Sequence, residues 1–424
     1  MFSKRHFEKK KIIIKILDNK KDPTSKLKKI RSVLESNDPL AIEKFFNENY
    51  SQIFYVFWDN VSAYDNEYRD KKNKFAMDDL EYLIFMLMQI IERLPHLIHE
   101  RWQFHVLGRY LSRLLHINNS LAIKKFGFEI FMTWYGILND NSSTECKIMF
   151  RKLIPTIGSQ GYITSDMFTR FPQGSNCSPD IEPFSDVNLN LKLEFKVEDT
   201  KYLFIVLLNS IVFNTFKIKL NQFQRVKTFS FVFNQFKLHY LSIIFEVSMG
   251  YNSEEIENLS LSKPGNDPVD SHVEICRILF LEWISQFLFM KKPFKKNSSS
   301  KSSHSSNFNC PKYPKWMKKL ISIETNIDER YTVGDCIYYR SILSRTNWSN
   351  FSSDEYSVVQ SYIVGNAENV LLVLQILKYG FSIPIKYSNV TECIIEVFAH
   401  WIQVIYKFLM DMLKVINRWL FDQY

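Results

Sequence analysis

Glycine and proline are scarce in this chain. Its 424 residues include 11 glycines and 13 prolines, whereas proteins average about 7% glycine and about 5% proline. Folds built from many short strands need frequent turns, and nucleotide-binding loops need glycine beside the phosphates. Both classes are disfavoured. A chain poor in helix breakers and rich in Leu, Ile, Phe and Lys is expected to be helical.

Cysteine and long apolar runs are also lacking. The six cysteines stand far apart with no CxxC or CxxH pair, which argues against a disulfide framework and against a zinc module. No stretch reaches the ~18 apolar residues of a membrane span, and the longest run, 203–216, is interrupted by Asn209, Ser210 and Asn214. We therefore expect a soluble cytoplasmic protein without a metal or other cofactor.

Positive charge is confined to two segments. Residues 1–31 contain twelve Lys or Arg and three acids, so this arm carries a net charge equal to the +9 of the whole chain. Residues 291–319 contain nine lysines and no acid, so the remainder of the chain carries a net charge of −9. Because nucleic-acid binding needs a basic surface on the folded body, no nucleic-acid partner is expected.

Apolar residues recur with helical spacing along most of the chain. Successive helix pairs are spaced by about 40 residues, within the range of HEAT and armadillo repeats. The sequence predicts an all-α fold, a HEAT/armadillo-like helical array (α-solenoid) with long loops and one Ser/Lys-rich linker. The predicted divisions are a basic arm (1–23), a first helical block (24–154), a loop (155–195), a second helical block (196–290), the linker (291–319) and a C-terminal helical block (320–424).

Several helix boundaries are predicted from local signals. Thr24 or Ser25 is expected to cap the first helix, and Pro39 is expected in the first turn of the next. Pro95 should stop or kink the helix over 77–94. The periodicity beyond it predicts one uninterrupted helix over 97–116.

No catalytic motif is present. His96, His99 and His105 could contribute to a metal site, but ordinary surface or half-buried histidines are the favoured interpretation. Three acids near residue 80 fit the start of a helix better than an acid–base pair. We therefore expect that the chain is not an enzyme.

The basic arm allows two interpretations. Lys9, Lys10, Lys11 and Lys15 flank isoleucines and a leucine, so the arm could form a basic amphipathic helix on an anionic membrane. The favoured alternative is a solvated tail, or a helix that docks its apolar stripe on the array. The Ser/Lys-rich linker could likewise bind an anionic surface or be phosphorylated, although a simple spacer is favoured.

The segment 99–139 carries more specific information about function than the overall composition does. Arg101, Trp102, Gln103, Phe104 and His105 are followed by Leu114-Leu115-His116, Asn119-Ser120-Leu121, Lys124-Lys125, Gly127 and Trp134. This segment resembles the N-terminal domain of the alpha subunit of Ral GTPase-activating proteins. We call the residues from Arg101 to His105, with His116, Asn119, Ser120, Leu121, Gly127 and Trp134, the signature residues, and we expect all of them to have structural roles. Similar patches recur in the same order across roughly 1–403, among them 52–57, 149–155 and 229–245.

The resemblance implies a regulatory role. The family's alpha subunit forms a heterodimer with a beta subunit and activates the small GTPase Ral, through a C-terminal Rap/Ran-GAP domain that supplies a catalytic asparagine. No position of this chain matches that domain, so no catalytic residue is assigned. The expected function is an N-terminal helical scaffold acting through protein contacts; the alternative is a peripheral membrane or trafficking adaptor that uses the basic arm.

Overall fold

The computed structural model describes residues 22–34, 39–70, 76–117, 119, 121–157, 163, 196–218, 220–245, 269–288, 353–381, 390–399 and 402. Within these residues the regular structure is helical and no strand occurs, which confirms the predicted all-α class. Residues 1–21 of the basic arm, with its four named lysines, lie outside the described residues. So do nearly all of the 155–195 loop and the whole Ser/Lys-rich linker. The described residues form two compact units, one up to Phe104 and the other from His105 onward.

Four helices lie in the first unit, and a fifth begins at the boundary between the two units. They are α1 (Pro23–Leu34), α2 (Pro39–Asp70), α3 (Ala76–Arg93), α4 (Pro95–His99) and α5 (Phe104–Leu114). The remaining helices are α6 (Leu121–Leu138), α7 (Thr144–Arg151), α8 (Val197–Lys217), α9 (Gln222–Phe236), α10 (Ser242–Ile244), α11 (Val269–Leu288), α12 (Ser353–Gly365), α13 (Ala367–Phe381) and α14 (390–399). A π-helical segment, Lys237–Leu241, connects α9 to α10.

The first unit is built from helices that are neighbours in sequence. Helix α1 packs on α2, and α2 packs on α3. Asp22, rather than Thr24 or Ser25, caps α1, because its carboxylate accepts a hydrogen bond of 2.9 Å from the Ser25 backbone N–H. A hydrogen bond from the Ser25 side chain, followed by this backbone bond, lowers the pKa of the Asp22 carboxyl. Pro23 occupies the first helical position, where its missing N–H has no cost.

Helix α2 joins two segments that the sequence predicts as separate helices, 39–47 and 51–62. The helix is kinked between these two segments at Asn49, whose φ and ψ are −128° and 23°. The Asn49 side-chain amide donates a hydrogen bond of 3.0 Å to the Phe45 carbonyl. A side-chain donor that satisfies a carbonyl within the helix is a recognised cause of bending.

Helix α8 is the centre of the second unit. It contacts α6, α9, α11 and α12, and its residues from Leu203 to Val212 are buried on every side. The apolar run that came nearest to a membrane span is therefore the core helix, as expected for a helix apolar around its circumference. Its buried Asn214 accepts a hydrogen bond of 3.1 Å from the Thr133 hydroxyl of α6. None of the described helices has the length and apolar character needed to cross a bilayer.

Candidate functional site

The most specific sequence segment begins at the turn between α4 and α5. Helix α3 ends at Arg93 and α4 begins at Pro95, as predicted from that proline. The prediction of one helix over 97–116 is wrong, because Arg101 and Gln103 have φ of 65° and 53°. These left-handed conformations are uncommon for residues other than glycine and end the helical hydrogen bonding.

The turn holds Trp102 against α2. The Trp102 ring centroid lies 5.4 Å from that of Tyr50 and 5.1 Å from that of Phe54, with both pairs edge to face. Such pairs contribute about 0.5–1.5 kcal/mol beyond the area they bury. The exposed Arg101 places its guanidinium 4.2 Å from the centroid of the buried Phe104 ring. The turn therefore presents a charged group that is held by a cation–π contact.

Asn119 closes the end of α5. Its side-chain amide donates to the carbonyls of Arg113 at 2.7 Å and Leu114 at 2.9 Å. The last carbonyls of a helix have no partner inside the helix, so this amide satisfies two of them. His116 accepts the Asn119 backbone N–H at 3.0 Å through its carbonyl. Ser120 lies outside the described residues.

Gly127 permits close packing of α5 against α6. A Cβ atom built at this position would lie 2.7 Å from the Leu114 Cβ and 3.1 Å from the Leu114 carbonyl carbon. Both distances are shorter than ordinary van der Waals contacts, so a larger residue would force the helices apart. Leu121 begins α6, and farther along the helix the buried Trp134 lies with its ring centroid 6.2 Å from that of Phe131.

The signature residues do not form a single cluster. Arg101, Trp102, Gln103 and Phe104 belong to the first unit, and the signature residues from His105 onward belong to the second. His105, like His96 and His99, is exposed. No group of three or more potential metal ligands occurs among the residues that the structure describes.

A set of buried polar side chains in the second unit could not be predicted from the sequence. Lys237, in the π-helical segment, donates a hydrogen bond of 2.8 Å to the Asn369 side-chain oxygen of α13, and burial lowers the Lys237 pKa. Arg277 of α11 donates to the Ile244 carbonyl at 2.7 Å and to the Tyr379 hydroxyl of α13 at 2.9 Å. The apolar periodicity of the sequence does not identify such residues, because they occupy buried helix positions at which apolar side chains are expected.

A buried hydroxyl–imidazole pair resembles part of a catalytic dyad. The Thr200 hydroxyl lies 2.7 Å from His272 Nδ1 and 2.8 Å from the Thr156 hydroxyl. Thr200 is fully buried and His272 is nearly so, and desolvation lowers the pKa of His272. A nucleophile must be reachable by its substrate, so this chain of hydrogen bonds is suited to joining helices rather than to catalysis.

A small cavity lies in the second unit, with Lys124 and Lys152 in a mostly apolar lining that includes Leu115, Phe128 and Leu203. Its volume is ≈ 20 Å³, which is room for about one water molecule. Burial lowers the pKa of Lys124 to about 8, and Asp199 partly opposes that shift. The cavity is too small for a cofactor or a nucleotide.

His239 is held neutral inside the π-helical segment. Its pKa is lowered to about 3, first by burial and then by the positive charges of Arg151 and Lys147. Arg151 Nε donates to His239 Nε2 across 3.4 Å, and this acceptor role requires an unprotonated nitrogen. Tyr240, the next residue, donates a hydrogen bond of 2.6 Å to the Phe150 carbonyl, so the π-helical segment fastens α7 to the second unit.

Comparison with known proteins places the chain in a family. The family model described as the RALGAPA1 N-terminal domain matches residues 2–228. Ral GTPase-activating protein subunit alpha-1 of rat is 28% identical over 95% of this chain, and subunit alpha-2 of mouse is 26% identical over 95%. A pig subunit alpha-1 is 34% identical, over 58% of this chain and 75% of its own length.

This chain spans 22% of the length of the rat relative and 23% of the mouse relative. No solved structure matches it. The family model covers more than half of the 424 residues, and the resemblance first noted in the segment 99–139 is confirmed. The chain therefore belongs to the RALGAPA1 N-terminal domain family.

Proposed function

We propose that this chain is the N-terminal helical scaffold of an alpha subunit of a Ral GTPase-activating complex, and that it works in the cytoplasm through protein contacts. The observation that carries the proposal is the family match over residues 2–228, a range that includes helices α1 to α8 and the beginning of α9. The chain contributes no catalytic residue of its own. Its proposed partners are a beta subunit and, through the assembled complex, the GTPase Ral.

The fold is compatible with a contact role. The described helices bury apolar stripes against one another, and the cavity beside Lys124 and Lys152 has room for about one water molecule only. A HEAT-like array, with the six sequence divisions given above, is the arrangement that we propose for the whole chain. Arrays of this kind bind partners through extended surfaces rather than enclosed pockets.

The turn between α4 and α5 is the contact site that we propose for the beta subunit. Arg101 is exposed and Trp102 is half-buried, and arginine and tryptophan are enriched among the residues that dominate binding energy at interfaces. The other signature residues are proposed to be structural, since Asn119 satisfies a helix end and Gly127 permits close helix packing.

Co-purification of the full chain with a beta subunit tests the proposal. The wild-type chain should retain the beta subunit, and Arg101→Glu should weaken retention. Lys44→Glu is the matched control, since Lys44 is an exposed lysine of the same unit whose 3.6 Å pair with Glu48 contributes little. Failure of the wild-type chain to retain a beta subunit would count against the family role, and equal loss in both variants would remove the turn from the interface.

The membrane-adaptor alternative depends on the twelve basic residues within 1–31. Each lysine near an anionic surface contributes about 1 kcal/mol of attraction. Flotation with anionic liposomes, compared between the full chain and a chain lacking residues 1–21, a deletion that keeps helix α1, distinguishes this role. Binding that disappears with the arm supports the adaptor, whereas an absence of binding by the full chain excludes it.

A further inference from the structure

The cavity of the second unit places a lysine amine in apolar surroundings. Lys124 of α6 lines this cavity together with Leu115, Phe128 and Leu203. Lys124 is half-buried, so a small solute can reach its side chain from the solvent. The site therefore combines an accessible amine with a mostly apolar wall.

Burial changes the chemistry of this amine. It lowers the pKa of Lys124 to about 8, and the negative charge of Asp199 only partly opposes that shift. Near pH 7.4 an ordinary lysine is about 0.1% unprotonated, whereas a group with a pKa of about 8 is about 20% unprotonated. Because only the unprotonated amine is a nucleophile, Lys124 is prepared for covalent chemistry that an ordinary lysine undergoes slowly.

The size of the cavity selects the reagent. Its volume is ≈ 20 Å³, which is room for about one water molecule, so a large acyl donor cannot enter it. Carbon dioxide is apolar, linear and little wider than water, and it reacts with unprotonated amines without prior activation. It is the biological electrophile that best fits an apolar site of this size.

We propose that Lys124 is a carbamylation site that takes up carbon dioxide reversibly. The unprotonated Nζ attacks the carbon of carbon dioxide and forms a C–N bond. One C–O π bond opens, its electron pair moves to oxygen, and the nitrogen loses a proton to the solvent. The product is a carbamate anion, and no oxidant or reductant is consumed. The reaction reverses the charge of Lys124 beside the contact of α6 with α8.

Lys152 is placed to hold the product. It follows α7, is half-buried, and lines the same cavity as Lys124. Its ammonium group supplies a positive charge for the carboxylate end of the carbamate, in the same way that lysine pairs with other carboxylates. The carbamate nitrogen keeps one N–H, and Asp199, whose charge already acts on Lys124, is an acceptor for it.

Trapping of carbamates on the full chain tests this site. The chain is equilibrated with ¹³C-labelled bicarbonate near pH 7.4, carbamates are fixed as ethyl esters with triethyloxonium ion, and peptide mass spectrometry identifies the modified lysines. Occupancy at Lys124 should exceed occupancy at the exposed Lys147 of α7 by about tenfold or more. The unprotonated fraction of Lys124 is about 200-fold that of an ordinary lysine, and the weaker basicity of Lys124 offsets part of this advantage.

Three variants separate the site from general lysine reactivity. Lys124→Arg should abolish the adduct at this position and leave the adduct at Lys147 unchanged. Lys152→Met should lower occupancy at Lys124 by about threefold, the effect of losing a partly exposed ion pair, whereas Lys147→Met, the matched control, should leave it unchanged. Helical circular dichroism should be equal in all four proteins.

The wild-type chain alone is sufficient to overturn the proposal. Occupancy at Lys124 no higher than at Lys147 would show that the cavity does not make this amine reactive. Occupancy that is equal with and without Lys152 would overturn the role of Lys152 in holding the carbamate.

Discussion

The two compact units bring their helices together in different ways. In the first unit α1, α2 and α3 are consecutive, and Asn60 of α2 donates a hydrogen bond of 3.0 Å to the Pro23 carbonyl of α1 over a separation of 37 residues. In the second unit Arg277 and Tyr379 are 102 residues apart, and Lys237 and Asn369 are 132 residues apart. The second unit therefore fixes distant segments with buried charged groups.

This difference has a physical reason. Consecutive helices with short connections find each other through their apolar stripes, because little loop entropy opposes the contact. Helices separated by a hundred residues gain apolar contacts in many registers, whereas a buried cation needs particular acceptors. We interpret Lys237 and Arg277 as residues that fix the register of α13.

The largest expected effect comes from Arg277→Met. This substitution leaves the buried Ile244 carbonyl without its charged donor and should lower the free energy of unfolding by about 2–3 kcal/mol. The counterpart in the first unit is Arg93→Met. Arg93 donates to the buried Gln89 side chain of the same helix at 2.8 Å and lies over the Phe46 ring at 5.6 Å. Because Arg93 is half-buried and its acceptor belongs to its own helix, its loss should cost about 1–1.5 kcal/mol, less than the loss of Arg277. Urea denaturation measures the free energy of unfolding of both variants. Equal losses of stability would contradict the proposed difference between the two units.

The second-largest expected effect is a pH dependence of the free energy of unfolding, caused by His239. Folding keeps its pKa at about 3, while the unfolded chain takes up a proton below about pH 6.5. The unfolded state therefore binds more protons between these values, and the free energy of unfolding falls as the pH falls through this window. The loss should reach about 2 kcal/mol between pH 6.5 and pH 5, at about 1.4 kcal/mol per unit.

His239→Gln should remove this part of the pH dependence. The exposed His96→Gln serves as the control, and the buried His272, whose pKa is also lowered, should retain part of the slope in both variants. Denaturation curves at pH 7, 6 and 5 provide the measurement. A slope that is the same with and without His239 would show that this residue is not held neutral by the fold.

The smallest effect separates two glycines of the second unit. Gly127→Ala places a Cβ against Leu114 and should cost about 1–2 kcal/mol, because overpacking outweighs the helix propensity gained. Gly365→Ala meets no atom within 4 Å and should be neutral or stabilising by up to about 1 kcal/mol. Thermal unfolding of the two variants decides whether the close approach of α5 and α6 is required.

Much of the helical architecture can be predicted from sequence. Pro39 and Pro95 mark helix starts in the structure as they do in the sequence, because proline's fixed φ and missing N–H act locally. The turn at Arg101 could not be predicted, since its left-handed residues are not glycines and the apolar period continues across it. Lys237 and Arg277 could not be identified as buried either, because their acceptors lie far away in the sequence.

The signature segment, 99–139, likewise separates what sequence can predict from what it cannot. Its residues identified the family, but their roles depend on neighbours that sequence cannot supply: Gly127 on Leu114, Asn119 on the end of α5, and Trp102 on the rings of α2. Local chemistry can be read from sequence, whereas a contact between distant elements requires the fold.

We propose that the chain supplies protein contacts, and not catalysis, to a Ral GTPase-activating complex. The most direct measurement is single-turnover GTP hydrolysis by Ral with and without this chain in excess. We predict that the hydrolysis rate is unchanged by the chain alone. A rate that rises in proportion to the chain's concentration would contradict the claim.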